Sequence, residues 1–180
     1  MTRVILVVGP SGAGKDTLIR HAKHHFAQVG RIDFARRYIT RPPDQNEDNY
    51  FVDESAFRLL ESARFFISTW NAHSYRYGIP GNIITDENNG AVLCSVSRSS
   101  IIDFESKCNS VTTIHVTVKK DVLFERLLKR GRETEEEIEK RLLQADKPFL
   151  SNNLITFDNS MSLYSCTHSF IDLLNKLIVY

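Results

Sequence analysis

Residues 2–8 open the chain with the unbroken apolar run "VILVV" at 4–8, then come a glycine-rich stretch and Leu18, Ala22 and Phe26 spaced four apart. An apolar run without polar alternation suits a strand buried on both faces of a parallel sheet. The four-residue spacing puts one apolar stripe on a helix. The same signatures recur downstream. Residues 34–40 read as a second strand. Residues 50–52 and 64–70 read as short strands flanking a helix near 54–61. "AVLCSV" and "VTTIHVTV" read as central strands and "LITF" as a last one. "DVLFERLLKRG" predicts a helix capped by Asp121 and stopped by Gly131. Thr134 and Glu137 have capping-box spacing at the start of the next helix. A closing helix is expected to pack Leu163, Phe170, Leu174 and Leu177 on the sheet, and "GNIITDENNG" is expected to hold a short helix ending at Gly90. Alternating strands and helices predict an α/β fold, a three-layer α/β/α sandwich with a mostly parallel sheet.

The glycine-rich stretch carries the chemistry. Gly9, Pro10, Ser11, Gly12, Ala13, Gly14 and Lys15 complete the G-x-x-x-x-G-K pattern between a buried strand and an amphipathic helix. In that context the glycines let backbone N–H groups face a phosphate chain, the helix adds its positive end, and Lys15 reaches the β- and γ-phosphates. The next residue is Asp16, where a Mg²⁺-binding Ser or Thr is usual. The strand "AVLCSVSRSS" ends without the carboxylate that ordinarily completes a magnesium site, so Asp16 is expected to supply it locally, with Thr17 as a second polar ligand. A cap on the helix is the other reading of Asp16.

Composition narrows the class. The 180 residues fit one domain, and 42% hydrophobic with 25% charged residues is ordinary for a globular protein. A formal net charge of +1 argues against general affinity for nucleic acid or acidic membranes. Cys94, Cys108 and Cys166 form no C-x-x-C pair and are expected to be reduced and mostly buried. No signal-like or membrane-length apolar segment is visible, so the cytoplasm is the expected location.

"GPSGAGKDTL", "RYITRP", "WNAHSYRYGIP", "SVSR" and "RGRETEEEIEKRL", in this order, resemble the ribose 1,5-bisphosphate phosphokinase family, a branch of the guanylate kinase-like P-loop kinases. The resemblance implies a core at 1–36, 91–125 and 146–180, an acceptor-binding insertion at 37–90 and a lid at 126–145. Guanylate kinases grip the acceptor phosphate with two arginines. Arg41 matches the first, and Asp44 stands at the second. Ser68 lies nearest the glutamate that reads guanine, and Ile79 replaces a small hydroxyl residue that also contacts the base. Loss of such contacts together removes the discrimination a base-reading site supplies.

By the same resemblance, Arg41, Tyr50, His73, Tyr77 and Arg98 bind the acceptor. Arg126 lies across adenine, Asn159 lies against it, and Arg130, Arg132 and Arg141 approach the transferring phosphoryl. The implied reaction uses ATP with Mg²⁺ and converts ribose 1,5-bisphosphate to 5-phospho-α-D-ribose 1-diphosphate. A phosphate acceptor is already largely ionised, with a second pKa near ~6, and needs no general base. Two other readings stand beside it: a GMP kinase, and an inactive guanylate kinase-like protein-binding module. Oligomeric state, monomer or homodimer, is left open by the sequence.

Overall fold

The computed structural model describes residues 2–42, 48–84, 90–131, 134–145 and 147–179. The chain order is β1 (Arg3–Val8), α1 (Lys15–Phe26), β2 (Ile32–Phe34), β3 (Tyr38–Ile39), β4 (Tyr50–Phe51), α2 (Glu54–Ser62), β5 (Phe66–Ala72), β6 (Tyr75–Pro80), β7 (Ala91–Ser95), α3 (Ile101–Lys107), β8 (Val111–Thr117), α4 (Lys120–Arg130), α5 (Glu135–Ala145), β9 (Leu154–Asp158) and α6 (Leu163–Val179). Five strands form a parallel sheet in the order β2-β7-β1-β8-β9. A second sheet has the order β4-β3-β6-β5, with an antiparallel β5–β6 hairpin at its edge.

The uninterrupted apolar run of β1 follows from its central place. Ile5 and Val7 point into a cluster with Leu18, Ala22 and Phe26 of α1 and Phe170 and Leu174 of α6. Val4, Leu6 and Val8 point the other way, into a cluster with Phe104 of α3 and Ile79 of β6. Successive strand side chains alternate faces, so a strand covered on both sides is apolar along its covered length, here Val4 to Val8. A third, smaller cluster joins Leu123 and Leu127 of α4 to Ile138 of α5.

Several expectations are corrected. Residues 34–40 are not one strand: β2 pairs with β7 in the large sheet, whereas β3 pairs with β4 and β6 in the small one, so the chain changes sheets at residues 35–37. In "GNIITDENNG" the described part is a single 3₁₀ turn at Gly81–Ile83, and residues 85–89 lie outside the described residues. Asp121 is not the cap of α4; that position is Lys119, and the Asp121 carboxylate accepts from the amide of Val122. Leu163 at the start of α6 is 55% exposed, outside the packed stripe. Gly131 does end α4 in the left-handed conformation, and the Thr134–Glu137 capping box forms, each residue's backbone N–H donating to the other's side chain. The cysteines are free thiols, with Cys94 and Cys166 buried. No helix among the described residues is long and apolar enough to cross a membrane.

Phe170 is fully buried and meets Phe157 edge-on at 5.3 Å between ring centroids. Phe170→Ala is expected to destabilise the fold by about 3–5 kcal/mol through lost transfer energy and the cavity left behind, read as a lower urea midpoint with an unchanged m-value.

Candidate active site

The phosphate-binding loop runs from the end of β1 into α1 and is held from two sides. Beneath it, α4 leaves no room: a Cβ at Gly12, whose φ is +84°, would stand 2.9 Å from Leu127 Cδ2 and 3.0 Å from Leu123 Cδ1. Beside it, Asn159 at the end of β9 donates from Nδ2 to the carbonyl of Ala13 at 2.6 Å. A Cβ at Gly14, φ +83°, would lie 2.5 Å from that same nitrogen. Both positions therefore need glycine for conformation and for space. Asn159 is buried, so its amide nitrogen braces the loop from below. Arg126 is tied into the same corner, donating from Nη2 to the Asn159 carbonyl at 2.9 Å.

Lys15 folds back over the loop and donates from Nζ to the carbonyls of Gly9 and Pro10, each at 2.8 Å. It keeps some accessible surface, but protein atoms crowd the ammonium. Desolvation, partly offset by the Asp16 carboxylate and reinforced by Arg37, Arg98 and Arg130, lowers its pKa from 10.5 to about 8. Its charge is thus poised for an anionic partner.

An open cavity of about 390 Å³ lies over the loop. Of the residues expected from sequence, it collects Lys15, Asp16, Arg41, His73, Tyr77, Arg130 and Arg141 along its wall. Arg141 of α5 reaches His73 across the cavity, Nη2 to Nδ1 at 3.5 Å, so the helix after the charged corner meets the tip of the β5–β6 hairpin. That tip is a two-residue turn in which His73 and Ser74 have φ of 51° and 65°. Two left-handed residues match a type I′ hairpin turn, and neither is the glycine or asparagine that adopts it cheaply. Tyr77, 7% exposed, stacks on Trp70 at 5.5 Å and 9°, and Trp70 lines the cavity as well as packing on the core.

Other expected residues lie elsewhere. Tyr50 is on the edge strand β4, its ring covered by the Arg36 guanidinium at 4.1 Å, and it is not on the cavity wall. Arg98 is also off that wall: Nη1 donates to the Lys147 carbonyl at 3.2 Å, Nη2 lies 3.0 Å from His115 Nε2, and the guanidinium faces the Phe149 ring. Burial and the Arg98 charge hold the His115 pKa down, so the imidazole is favoured as a neutral acceptor for Arg98. Thr17 is half-buried in the first turn of α1. Arg132 and Asp44 lie outside the described residues.

Two residues on the wall lie in stretches quoted from the sequence but were not singled out there as site residues. Arg37, between β2 and β3, donates from Nη2 to Asp16 Oδ1 at 3.2 Å and from Nε to Asn49 Oδ1 at 3.0 Å. Ser95 ends β7 beside the loop, and its buried hydroxyl has no hydrogen-bond partner among the described residues. Asp16, Thr17 and Ser95 offer only hard oxygen donors, and an orphaned buried hydroxyl at the carboxyl end of a strand suits a magnesium–phosphate shell.

The positions that would read a base do not face the cavity as donors. Ser68 is buried and its hydroxyl donates to Asp103 Oδ2 at 2.6 Å, while Ile79 is fully buried in the core.

The guanylate kinase family model matches residues 1–165. A protein of Acidiphilium cryptum named ribose 1,5-bisphosphate phosphokinase PhnN is 42% identical over 147 residues, covering 81% of this chain and 78% of that protein. One of the same name from Rhizobium etli is 36% identical over 178 residues, covering 97% and 90%. The crystal structure of a guanylate kinase from Anaplasma phagocytophilum matches with a TM-score of 0.65 over 98% of this chain and 85% of that one, at 17% identity, a likeness of fold.

Because Lys15 has a pKa of about 8 and a bound phosphate chain raises it, ATP binding takes up protons above pH 8 and none from this group below pH 7. ATP affinity should therefore fall as pH rises through 8. Calorimetry in buffers of different ionisation enthalpy measures the uptake, which Lys15→Met should abolish.

Proposed function

This chain belongs to the ribose 1,5-bisphosphate phosphokinase family within the guanylate kinase-like proteins, and from that premise we propose how its residues carry out ATP-dependent phosphorylation of ribose 1,5-bisphosphate to 5-phospho-α-D-ribose 1-diphosphate. The observation that carries the reading is a wall that, among the described residues, holds Lys15, Arg37, Arg41, Arg130 and Arg141 against one carboxylate, that of Asp16, with no base-reading donor at Ser68 or Ile79. Such a surface captures substrates by their phosphates.

The loop amides and Lys15 hold the β- and γ-phosphates of ATP. Arg41, Tyr77 and His73 hold the acceptor so that a 1-phosphate oxygen stands in line with the γ-phosphorus. That oxygen forms the new P–O bond as the bond from the γ-phosphorus to the β–γ bridging oxygen breaks, and ADP carries the electron pair away. The acceptor oxygen is already ionised near neutral pH, with a pKa near ~6, so no general base is required. Arg130 and Arg141 neutralise charge on the equatorial oxygens as the site closes and excludes water, and the family resemblance assigns Arg132 the same role.

Asp16 and Ser95, both on the cavity wall, would hold Mg²⁺, which when bound would screen the phosphate charge; Thr17, off that wall, is left the weaker candidate. Asp16 is the metal-directed carboxylate in this scheme, and its pairing with Arg37 is the contact it leaves. Arg126 and Asn159 fix the loop from the adenine side. We assign residues 37–90 to the acceptor site, 126–145 to the lid and the remainder to the core. The partners are the two small-molecule substrates, in the cytoplasm.

A coupled ADP-release assay with ribose 1,5-bisphosphate, GMP, AMP and dTMP tests the reading. The kcat/KM for ribose 1,5-bisphosphate should exceed that for GMP by at least about 10³-fold, the scale at which a site lacking base contacts forfeits a nucleotide. Comparable turnover of GMP would refute it and favour a nucleoside monophosphate kinase. Failure to bind ATP–Mg²⁺ at all would favour an inactive binding module. Lys15→Ala should lower turnover by about 10³-fold or more with the fold intact by circular dichroism; near-normal activity would exclude the phosphate-loop mechanism.

A further inference from the structure

Arg37 occupies a singular position. The open cavity over the phosphate loop adjoins a narrower one of about 110 Å³ between α1 and the end of β2, and Asp16, Arg37 and Ser95 line both. Arg37 therefore stands at their junction. Its side chain is only 16% exposed, against 51% for Asp16. Its carbonyl accepts the Tyr50 amide at 2.8 Å, and its Nε–H is anchored on Asn49, so backbone and stem are both fixed. The neighbouring Arg36 is turned away to pair with Asp48 and to cover Tyr50. Beside Lys15, Arg37 turns its Nη2 to the Asp16 carboxylate, donating to Oδ1 at 3.2 Å.

A guanidinium edge accommodates a carboxylate and a phosphate by the same hydrogen-bond geometry. Asp16 is the more exposed partner and follows directly on the donor loop. Arg37 belongs to the acceptor side and is rigidly held. The chain beyond Arg41 carries Asp44 where the guanylate kinases have their second phosphate-gripping arginine, so a bisphosphorylated acceptor needs a guanidinium from another position.

We propose that Arg37 is an acceptor-phosphate residue, and that the Asp16 carboxylate is an internal anion that the acceptor phosphate displaces from it. This rests on the ribose 1,5-bisphosphate reading above. Two consequences have opposite signs. Removing the guanidinium weakens acceptor binding. Neutralising Asp16 removes both a competitor for Arg37 and a negative charge facing the phosphate, so it tightens acceptor binding measured without nucleotide.

The experiment is calorimetric titration of the full chain with ribose 1,5-bisphosphate alone, together with steady-state kinetics. Arg37→Gln should weaken binding by about 10- to 100-fold, the worth of a hydrogen-bonded charge, and raise the acceptor KM while leaving the ATP KM within about threefold. Asp16→Asn should bind the acceptor as tightly as the parent protein or more tightly. Arg37→Lys keeps the charge but loses the fork, and covers the case in which Arg37→Gln does not fold. A loss of about fivefold or more in that variant supports the assignment, and an unchanged affinity overturns it.

The assignment is also overturned if Arg37→Gln binds the acceptor within about twofold of the parent, or if Asp16→Asn loses as much affinity as Arg37→Gln, since Arg37 would then merely position Asp16. A parent protein that ignores ribose 1,5-bisphosphate but binds GMP overturns the underlying function, and with it this inference. A parent that binds the bisphosphate while Arg37→Gln is unaffected overturns the inference alone.

Discussion

Cations gathered around one carboxylate repel one another, and the fold has to hold them in place against that repulsion. Lys15 shows the cost: burial and neighbouring guanidinium groups lower its pKa to about 8, and two loop carbonyls at 2.8 Å stabilise the charge that remains. Those carbonyls are presented correctly only because the loop is braced. The Asn159 amide fixes Ala13 from the side of β9, and the leucines of α4 fill the space below Gly12. The cationic side chains come from the start of α1, the β2–β3 and β3–β4 connections, α4 and α5, so the site draws on both sheets and on the helical corner.

Selectivity follows from how the smaller sheet disposes of its polar groups. Ser68 gives its hydroxyl to Asp103, and Arg76 satisfies Glu61 at 2.6 Å while its guanidinium covers Phe57. These are internal partnerships. A base in the cavity would meet Trp70, Tyr77 and guanidinium groups but few directional donors and acceptors matched to its edge. A buried polar group without a partner carries a desolvation cost, so a sheet that consumes its own hydroxyls is stable without a base.

The architecture was legible where local pattern and tertiary role coincide. The β1 run, the Leu18–Ala22–Phe26 stripe, the Thr134–Glu137 box and Gly131 all announce themselves within a few residues, and each occupies its expected place. The glycine–lysine pattern likewise located the loop, and Arg41, His73, Tyr77, Arg130 and Arg141 reach one cavity. What was illegible depends on long-range direction. The split of residues 34–40 is decided by two different sheets competing for one apolar stretch. Arg98 leaves the cavity wall because His115 and Phe149, from β8 and the segment after α5, offer its guanidinium a closer seat. Arg37 and Ser95 open the stretches "RYITRP" and "SVSR", but no spacing rule singles them out; the meeting of β2–β3, β7 and the loop gives them significance.

The contact between Gly12 and the leucines of α4 has a mechanical consequence. A side chain at Gly12 would run into Leu123 and Leu127, so the leucines of α4 form the floor on which the anion cradle rests. The helix thus acts as a post. Any swing of the segment carrying Arg141 has to pivot beyond Arg130, at Gly131, whose Cα has open space on its side-chain face. The arm beyond that glycine is moored twice, through Ile138 against the same leucines and through Arg141 beside His73, so the floor of the cradle and its far wall share one anchor.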